Sequence, residues 1–473
     1  MSTTKRPILI LQMQRMGDLV LSFPLVLWLT RSFPGHPIWM MAEELFYTHL
    51  IPVSPEVTYF PWNEASLTLL RAQDYHLVIN LSHDRRAAEL AGQVKSEEAY
   101  GPLIDSRGVP YVRGDWQLYR TSLTRSNRHN RFHWADLNAL DIIPVGEIAS
   151  TGFSPPRTIT EVARVKIGLF LGASKPEKRP EPEFWVALVR ELLARDLRPV
   201  LLGGPGEKAM GEAVAAAVPA KVLNLCGTTT ISELVMIGQT IGLMVTPDTG
   251  PMHLAAWTGL PTLNLSMGNV TCWETGPSQP VHHVLRAKMS CAGCWECTRP
   301  GIPCRERFLP RQVAYLAHMG MDKRLGEYVT RPLGDLDLYE TGRSDLGLYS
   351  IARLTPAQAS SARDLLGDFW QRFWGARFGL WAWDLPGEAY DELKERYPAL
   401  DAAMRRSLLA FGRDLRKGLG GTRRTLPQDF WSKTPPAMQP ARSYCQLLLE
   451  NGDYSKSAWG DCLGLVEQML GLM

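Results

Sequence analysis

Six residues constrain this chain most. Asp248-Thr249-Gly250-Pro251-Met252-His253 follow the apolar run Ile241-Gly242-Leu243-Met244-Val245 and precede Leu254-Ala255-Ala256-Trp257-Thr258. The order reads as strand, tight turn and helix start. Asp248 is expected to cap the helix, and Pro251 suits a first turn, where no backbone N–H bond is needed. Gly250 lets the backbone approach a ligand closely. Free N–H groups and the positive end of the helix dipole then face whatever lies beyond the strand, and they favour an anion such as a phosphate.

The surrounding pattern repeats that unit. Ile8-Leu9-Ile10-Leu11 reads as a buried strand, followed by Gly17, Asp18 and a helix from Leu19 to Ser32. Strands are expected at Ile38–Met41, Val57–Phe60 and Leu77–Leu81. After the break Ser154-Pro155-Pro156 a second series begins. It has strands at Ile167–Leu171, Pro199–Leu202, Val222–Leu225, Ile241–Val245 and Thr262–Leu265, with helices at Phe184–Arg195 and Glu207–Ala217. Short strands alternating with helices predict an α/β protein with parallel sheets covered on both faces. Two doubly wound halves leave a cleft facing the carboxyl ends of their strands. Beyond about residue 330 strand signals give way to helical patterns, Ala357–Arg377 and Tyr390–Gly418. The expected domains are therefore 1–155, 156–330 and a helical extension, 331–473.

A length of 473 residues calls for more than one core. A net charge of +3 gives no whole-molecule field for nucleic acid. The polar start, Met1 to Arg6, lacks the apolar core and cleavage site of a signal peptide, and no stretch has the length of a membrane span. The chain is expected in the cytoplasm, where its eight cysteines would not form a structural disulfide set.

Four segments carry chemistry when read together. They are Arg15-Met16-Gly17-Asp18, Gly172-Ala173-Ser174 with Lys178, Asp248 to His253, and the cysteines 291, 294, 297 and 304. In this order and spacing, over about residues 7 to 315, the chain resembles the heptosyltransferase-type family of glycosyltransferases, the ninth sequence family. The resemblance implies a GT-B fold: two Rossmann-like domains facing a cleft, here followed by the helical extension. It implies an inverting transfer of a sugar, heptose from ADP-heptose, to a lipopolysaccharide core or another glycan, lipid-linked or protein acceptor. Two rivals stand beside it: a GT-B nucleotide-sugar epimerase, and a non-catalytic nucleotide-sugar-binding or scaffold protein.

By that resemblance Asp18 is the catalytic base. An inverting transfer needs one carboxylate to take the proton of the attacking hydroxyl; the alternative is that Asp18 merely caps the following helix. Lys178 would neutralise the departing diphosphate, as a metal does in other transferases, although the family's Lys-Arg-Trp-Pro is here Lys178-Arg179-Pro180-Glu181. Ser174, Asp248, Thr249, Gly250 and His253 match positions around the donor diphosphate. Glu207 matches an acidic residue on the ribose hydroxyls, and Ile231 an apolar contact to the base or ordinary helix packing. No cofactor is required for the transfer.

Cys291, Cys294, Cys297 and Cys304 have ligand spacing for a structural zinc or iron; otherwise they are reduced thiols in a tight loop. Arg107, Arg113, Arg120, Arg125, Arg128 and Arg131, with His129 and His133, form a basic stretch in the first half. It reads either as a solvated loop or, if it faces the cleft, as a site for an anionic acceptor. Trp370, Trp374, Trp381 and Trp383 make the extension a core or an interface, and peripheral contact with the inner membrane face is one role open to it.

Overall fold

The computed structural model describes residues 5–161, 163–268, 271–289, 291, 294, 297, 299–321, 325–356 and 360–473. The first half holds β1 (Ile8–Gln12), β2 (Ile38–Ala42), β3 (Thr58–Phe60), β4 (Asp74–Asn80), β5 (Lys95–Ile104) and β6 (Pro110–Arg113). They form one sheet in the order β3-β2-β1-β4-β5-β6. All neighbours run parallel except β6, which turns back antiparallel on β5. The β5–β6 hairpin has no counterpart in the expected strands, because Lys95-Ser96-Glu97-Glu98 begins as a polar run.

The second half holds β7 (Lys166–Phe170), β8 (Arg198–Leu202), β9 (Leu223–Asn224), β10 (Leu243–Pro247), β11 (Thr262–Ser266) and β12 (His283–Ala287), followed by β13 (Leu336–Arg343) and β14 (Tyr349–Arg353). The sheet order is β14-β13-β12-β11-β10-β7-β8-β9. Strand order reverses between β1 and β4 in one sheet and between β7 and β10 in the other. Those are the topological switch points, where such sheets open a crevice at the carboxyl ends of the strands.

Three expectations are corrected. Strands do not end near residue 330: β13 and β14 add an antiparallel hairpin to the second sheet. Leu336, Leu338 and Leu348 are buried, so the hairpin closes over apolar surface. The helix after β1 starts earlier and is broken, as Met16–Leu21 and Phe23–Ser32; Pro24, in the first turn of the second piece, cannot donate to the preceding turn. The pattern over Tyr390–Gly418 is two helices, Asp384–Arg396 and Pro398–Leu419, divided at Pro398 for the same reason. The helix expected from Ala357 is seen over Ala362–Arg377; residues 357–359 lie outside the described residues.

The extension does not stand apart. Phe369, Trp370, Phe373 and Trp374 share one apolar core with Trp116, Tyr119 and Phe132 of the first half. Trp370 and Trp374 are fully buried, whereas Trp383 is exposed. Trp374 packs 5.2 Å from Tyr119, and Trp116 lies 4.8 Å from Phe378. Asn451 clamps the β6 backbone, accepting from Val112 N–H and donating to Val112 O. Among the described residues no helix is long and apolar enough to cross a membrane.

Candidate active site

Two strand-to-helix turns meet across the halves. One follows β1 and carries Met16, Gly17 and Asp18; the other follows β10 and carries Asp248 to His253. A Cβ on Gly17 would lie 3.1 Å from His253 Cδ2 and 3.3 Å from Gly250 Cα. A Cβ on Gly250 would lie 2.7 Å from Met16 Cε and 3.2 Å from the Gly17 nitrogen. The two backbones thus approach closely at the glycines, and a Cβ at either one would fit only with a small shift of His253, Met16 or the turns.

Asp18 sits in the first turn of its helix, not at the cap, which is Arg15. Burial pushes its carboxyl above the ordinary range; Arg120, the Arg15 N–H, Lys178 and the Arg15 side chain pull it back. A carboxylate with raised proton affinity, flanked by cations, is suited to accept a proton from a hydroxyl.

Asp248 does not cap the second helix. Thr249 is the N-cap residue, and Pro251 lies in the first turn as expected. The Asp248 carboxylate instead accepts from Thr275 Oγ1 at 3.0 Å and faces Lys178 Nζ at 3.9 Å. Lys178 ends a short turn, Pro176–Lys178, after β7. The helix Gly250–Trp257 thus keeps its first N–H groups free of a side-chain cap, beside a cation. His253 is buried, and desolvation holds it neutral, at about 4; its Nδ1 has no hydrogen-bond partner among the described residues.

The other expected residues lie around this group. Ser174 is exposed on the loop leading to Lys178. Glu207 is drawn inward, accepting from Gly204 N–H at 3.0 Å and pairing with Arg179 at 3.3 Å. A Cβ on Gly172 would lie 2.6 Å from Glu207 Cδ. Ile231 is half-buried against the core of the first half.

Glu274 was not among the expected residues. It sits in the short helix Cys272–Thr275 after β11, buried between the halves. Its carboxylate accepts from Trp134 Nε1 at 2.5 Å and from Asn127 Nδ2 at 2.7 Å, both from the first half. Burial raises it to about 7, against those two bonds, with Asp248 raising it further and Lys178 lowering it. Arg120 bears on both Asp18 and Glu274, stacks 4.4 Å over the Trp134 ring and donates to Leu81 O at 2.8 Å. The available signal was an acidic residue in the loop at the carboxyl end of a strand.

The basic stretch divides. Arg107, Arg113 and Arg125 are exposed, whereas Arg120, His129 and His133 are buried. His133 Nδ1 accepts from Ala135 N–H, so its Nε2 carries the proton and donates to Gly276 O at 3.0 Å across the halves. It is neither a solvated loop nor one continuous patch.

Cys291, Cys294, Cys297 and Cys304 line one cavity of about 20 Å³ with Ser266 and Arg286. Burial and the three neighbouring thiols push the Cys294 thiol up. Among the described residues no group of three or more His, Cys, Asp or Glu side chains has the geometry of a metal site.

Residues 67–301 match the description of glycosyltransferase family 9, the heptosyltransferases. The chain carries a glycosyltransferase family 9 domain, and it is a glycosyltransferase. Its fold is similar to that of ADP-heptose lipopolysaccharide heptosyltransferase II from E. coli. Identity is 19%, over 67% of this chain and 99% of that one, with a TM-score of 0.50. A family 9 glycosyltransferase from Veillonella parvula is 19% identical over 59% of this chain and 85% of its own, with a TM-score of 0.45. The iron-containing dodecameric glycosyltransferase TibC from enterotoxigenic E. coli is 14% identical over 70% and 78%, with a TM-score of 0.41. No curated protein matches the sequence significantly. The two sheets, their crevice and the helical region agree with the GT-B expectation.

Proposed function

We propose that this glycosyltransferase moves heptose from ADP-heptose to an acceptor hydroxyl with inversion. The observation that carries the reading is the meeting of the Gly17-Asp18 turn with the Gly250–His253 helix start at the two switch points. The donor diphosphate lies at Thr249, Gly250 and the free N–H groups of the helix Gly250–Trp257, with Lys178 neutralising the charge that develops as it leaves. Ser174 and His253 border the diphosphate, Asp248 and Glu207 take donor hydroxyls, and Ile231 flanks the base. Asp18 takes the acceptor proton while the acceptor oxygen attacks the anomeric carbon and the diphosphate leaves with the bonding electrons. Lys178 and Arg120 stabilise the charge on either side of that step.

The acceptor belongs to the first half, 1–155, and the donor to 156–330, completed by the hairpin β13–β14. Arg120 favours an acceptor with an anionic group, whether glycan, lipid-linked or protein. The cytoplasm supplies both substrates, with the extension available for peripheral contact with the inner membrane face. The four thiols of the small cavity are the donor type that a soft structural ion, zinc or iron, takes. Cys291, Cys294, Cys297 and Cys304 would hold it. The ion would brace the loop after β12, and the transfer uses only the side chains named above.

The deciding experiment incubates purified protein with ADP-heptose and a heptose-free lipopolysaccharide acceptor, and follows ADP release and the anomeric configuration of the product. Transfer with inversion supports the reading. Isomerised donor without acceptor consumption would replace it with epimerisation. Elemental analysis of wild type against Cys294→Ser tests the ion, and equal metal content in the two removes it.

A further inference from the structure

A second polar cavity lies where all three parts of the chain join. It has a volume of about 50 Å³ and is lined by Arg128, His129 and Arg131 of the first half, Thr271, Cys272 and Arg286 of the second, and Arg363 of the extension. Among the described residues, four guanidinium groups thus line a space whose wall holds one carboxylate, Asp364, and that group already serves the cap at Ser361 and lies 3.8 Å from Arg353. Arg131 is anchored by Asp368 at 3.6 Å and by the Trp273 ring at 4.9 Å. Arg286 donates to Ser266 Oγ at 2.6 Å, and Arg363 to Met289 O at 3.2 Å.

Two further groups of this wall are orphaned. His129 Nδ1 and Thr271 Oγ1 are buried and have no hydrogen-bond partner among the described residues; the two residues are exposed by 4% and 2%. Buried polar atoms are satisfied in folded proteins, so an unsatisfied pair in one cavity marks room for a ligand that can bond to both. Guanidinium forks match the oxygens of phosphate, and four cations with a hydroxyl suit a dianion better than a carboxylate. The positive field is felt by its neighbours: burial, then Arg128, Arg363 and Arg131, hold His129 neutral, at about 3.

A wider cavity of about 370 Å³ shares Arg286, Tyr339, Arg363 and Asp364 with the first and adds Lys288, Arg353 and Asp337. The donor region is separate. Thr275 and Glu274, at one end of the helix Cys272–Thr275, face Asp248 and the first half, whereas Thr271 and Cys272, at the other, line the arginine cavity.

We propose that the arginine cavity is a phosphate-binding site distinct from the donor diphosphate site, with the phosphoryl group between Arg286, Arg363, His129 and Thr271. The site joins the three parts of the chain around one anion. Its source is either free phosphate or a phosphate monoester whose organic body occupies the wider cavity.

The test measures binding of inorganic phosphate and of glucose 6-phosphate to the full-length protein by calorimetry, with thermal unfolding in parallel against chloride at equal ionic strength. Wild type is expected to bind phosphate saturably, with a raised Tm. Arg363→Gln should weaken binding about tenfold or more. Thr271→Val, which keeps the buried shape, should weaken it while leaving the phosphate-free Tm unchanged. Lys178→Ala, in the donor region, should bind phosphate as wild type does. Tighter binding of glucose 6-phosphate than of phosphate assigns the site to a monoester; equal or weaker binding assigns it to the free ion. Absence of saturable phosphate binding in wild type overturns the proposal. So does binding that survives Arg363→Gln and Thr271→Val but disappears in Lys178→Ala.

Discussion

The two glycine turns have the same local plan and opposite chemistry. Each follows a central strand at a switch point and opens a helix, and each brings a glycine against the other's backbone. The first turn carries a buried acid with raised proton affinity, Asp18. The second presents helix N–H groups beside Lys178, with Asp248 turned aside to Thr275. One plan thus places a buried carboxyl with raised proton affinity in one half and uncapped helix N–H groups beside a cation in the other. Side chains brought up to each glycine turn decide which, not the fold.

The division can be broken from either side. Asp18→Asn keeps size and shape but cannot take a proton. It should lower kcat about a thousandfold, with ADP affinity unchanged in calorimetry. An Asp18→Asn enzyme that turns over at the wild-type rate would remove Asp18 from the chemistry. Lys178→Ala should lower kcat about a hundredfold and weaken ADP as well. The contrast matters: if both substitutions weaken ADP equally, the two turns do not have separate roles.

Glu274 lies on the seam between them, and its effect is read in pH. Its carboxyl is raised to about 7 in the folded protein. Below about pH 4.5 folded and unfolded chains are both protonated there and nothing is lost. From about pH 4.5 to about 7 the unfolded chain ionises first, so this residue's contribution falls as pH rises, and it stays constant above. Glu274→Gln should abolish that fall, gaining on wild type by on the order of 2 kcal/mol between pH 4.5 and 7.5 in urea unfolding. A difference that does not change with pH would show that Glu274 is ionised throughout. The smallest effect belongs to Gly17→Ala. The added methyl meets His253 and Gly250 at the limit of contact, and a small displacement of the two turns should lower kcat/KM roughly tenfold. Unchanged kcat/KM would mean that the turns separate before substrate binds.

The parallel strands other than β5 and β12 were legible because each is a short run of branched and apolar residues between turn signals, as in β1 and β10. β5 opens on a polar run and β12 on His283, directly after His282, and neither is among the expected strands. Of the candidate residues, Asp18 and Asp248–His253 lie just after strands that periodicity locates, and Lys178 lies on the loop after another, so their places in the fold were legible; their roles come from the family resemblance. What escaped depends on contacts distant in sequence. β13 and β14 read as polar segments because Asp337, Glu340 and Thr341 interrupt the one and Ser350 and Arg353 the other, and β13 finds its partner only at the edge of β12. Asp248 looked like a cap because its position permits it; the competing partner, Thr275, lies 27 residues on. Glu274 is defined by Asn127 and Trp134, more than a hundred residues earlier. The arginines of 107–131 looked alike in sequence, and Asp364 and Asp368, which hold Arg131, lie more than two hundred residues later.

The path of the chain after β14 has a mechanical consequence. The polypeptide passes from the first sheet to the second between the helix Val145–Ala149 and β7, and returns after β14 to pack its last helices into the first half. The return is fastened at its root, where buried Asp136 of the first half accepts from Tyr349 N–H at 2.7 Å and pairs with Arg343 at 3.3 Å. A body held by one strand of chain can swivel; one held at two places can only swing, like a door on two hinges. Any opening of the cleft to admit donor and release product is therefore confined to rotation about the line through these two crossings. Such a rotation keeps the Gly17-Asp18 turn in register with the helix start at Gly250.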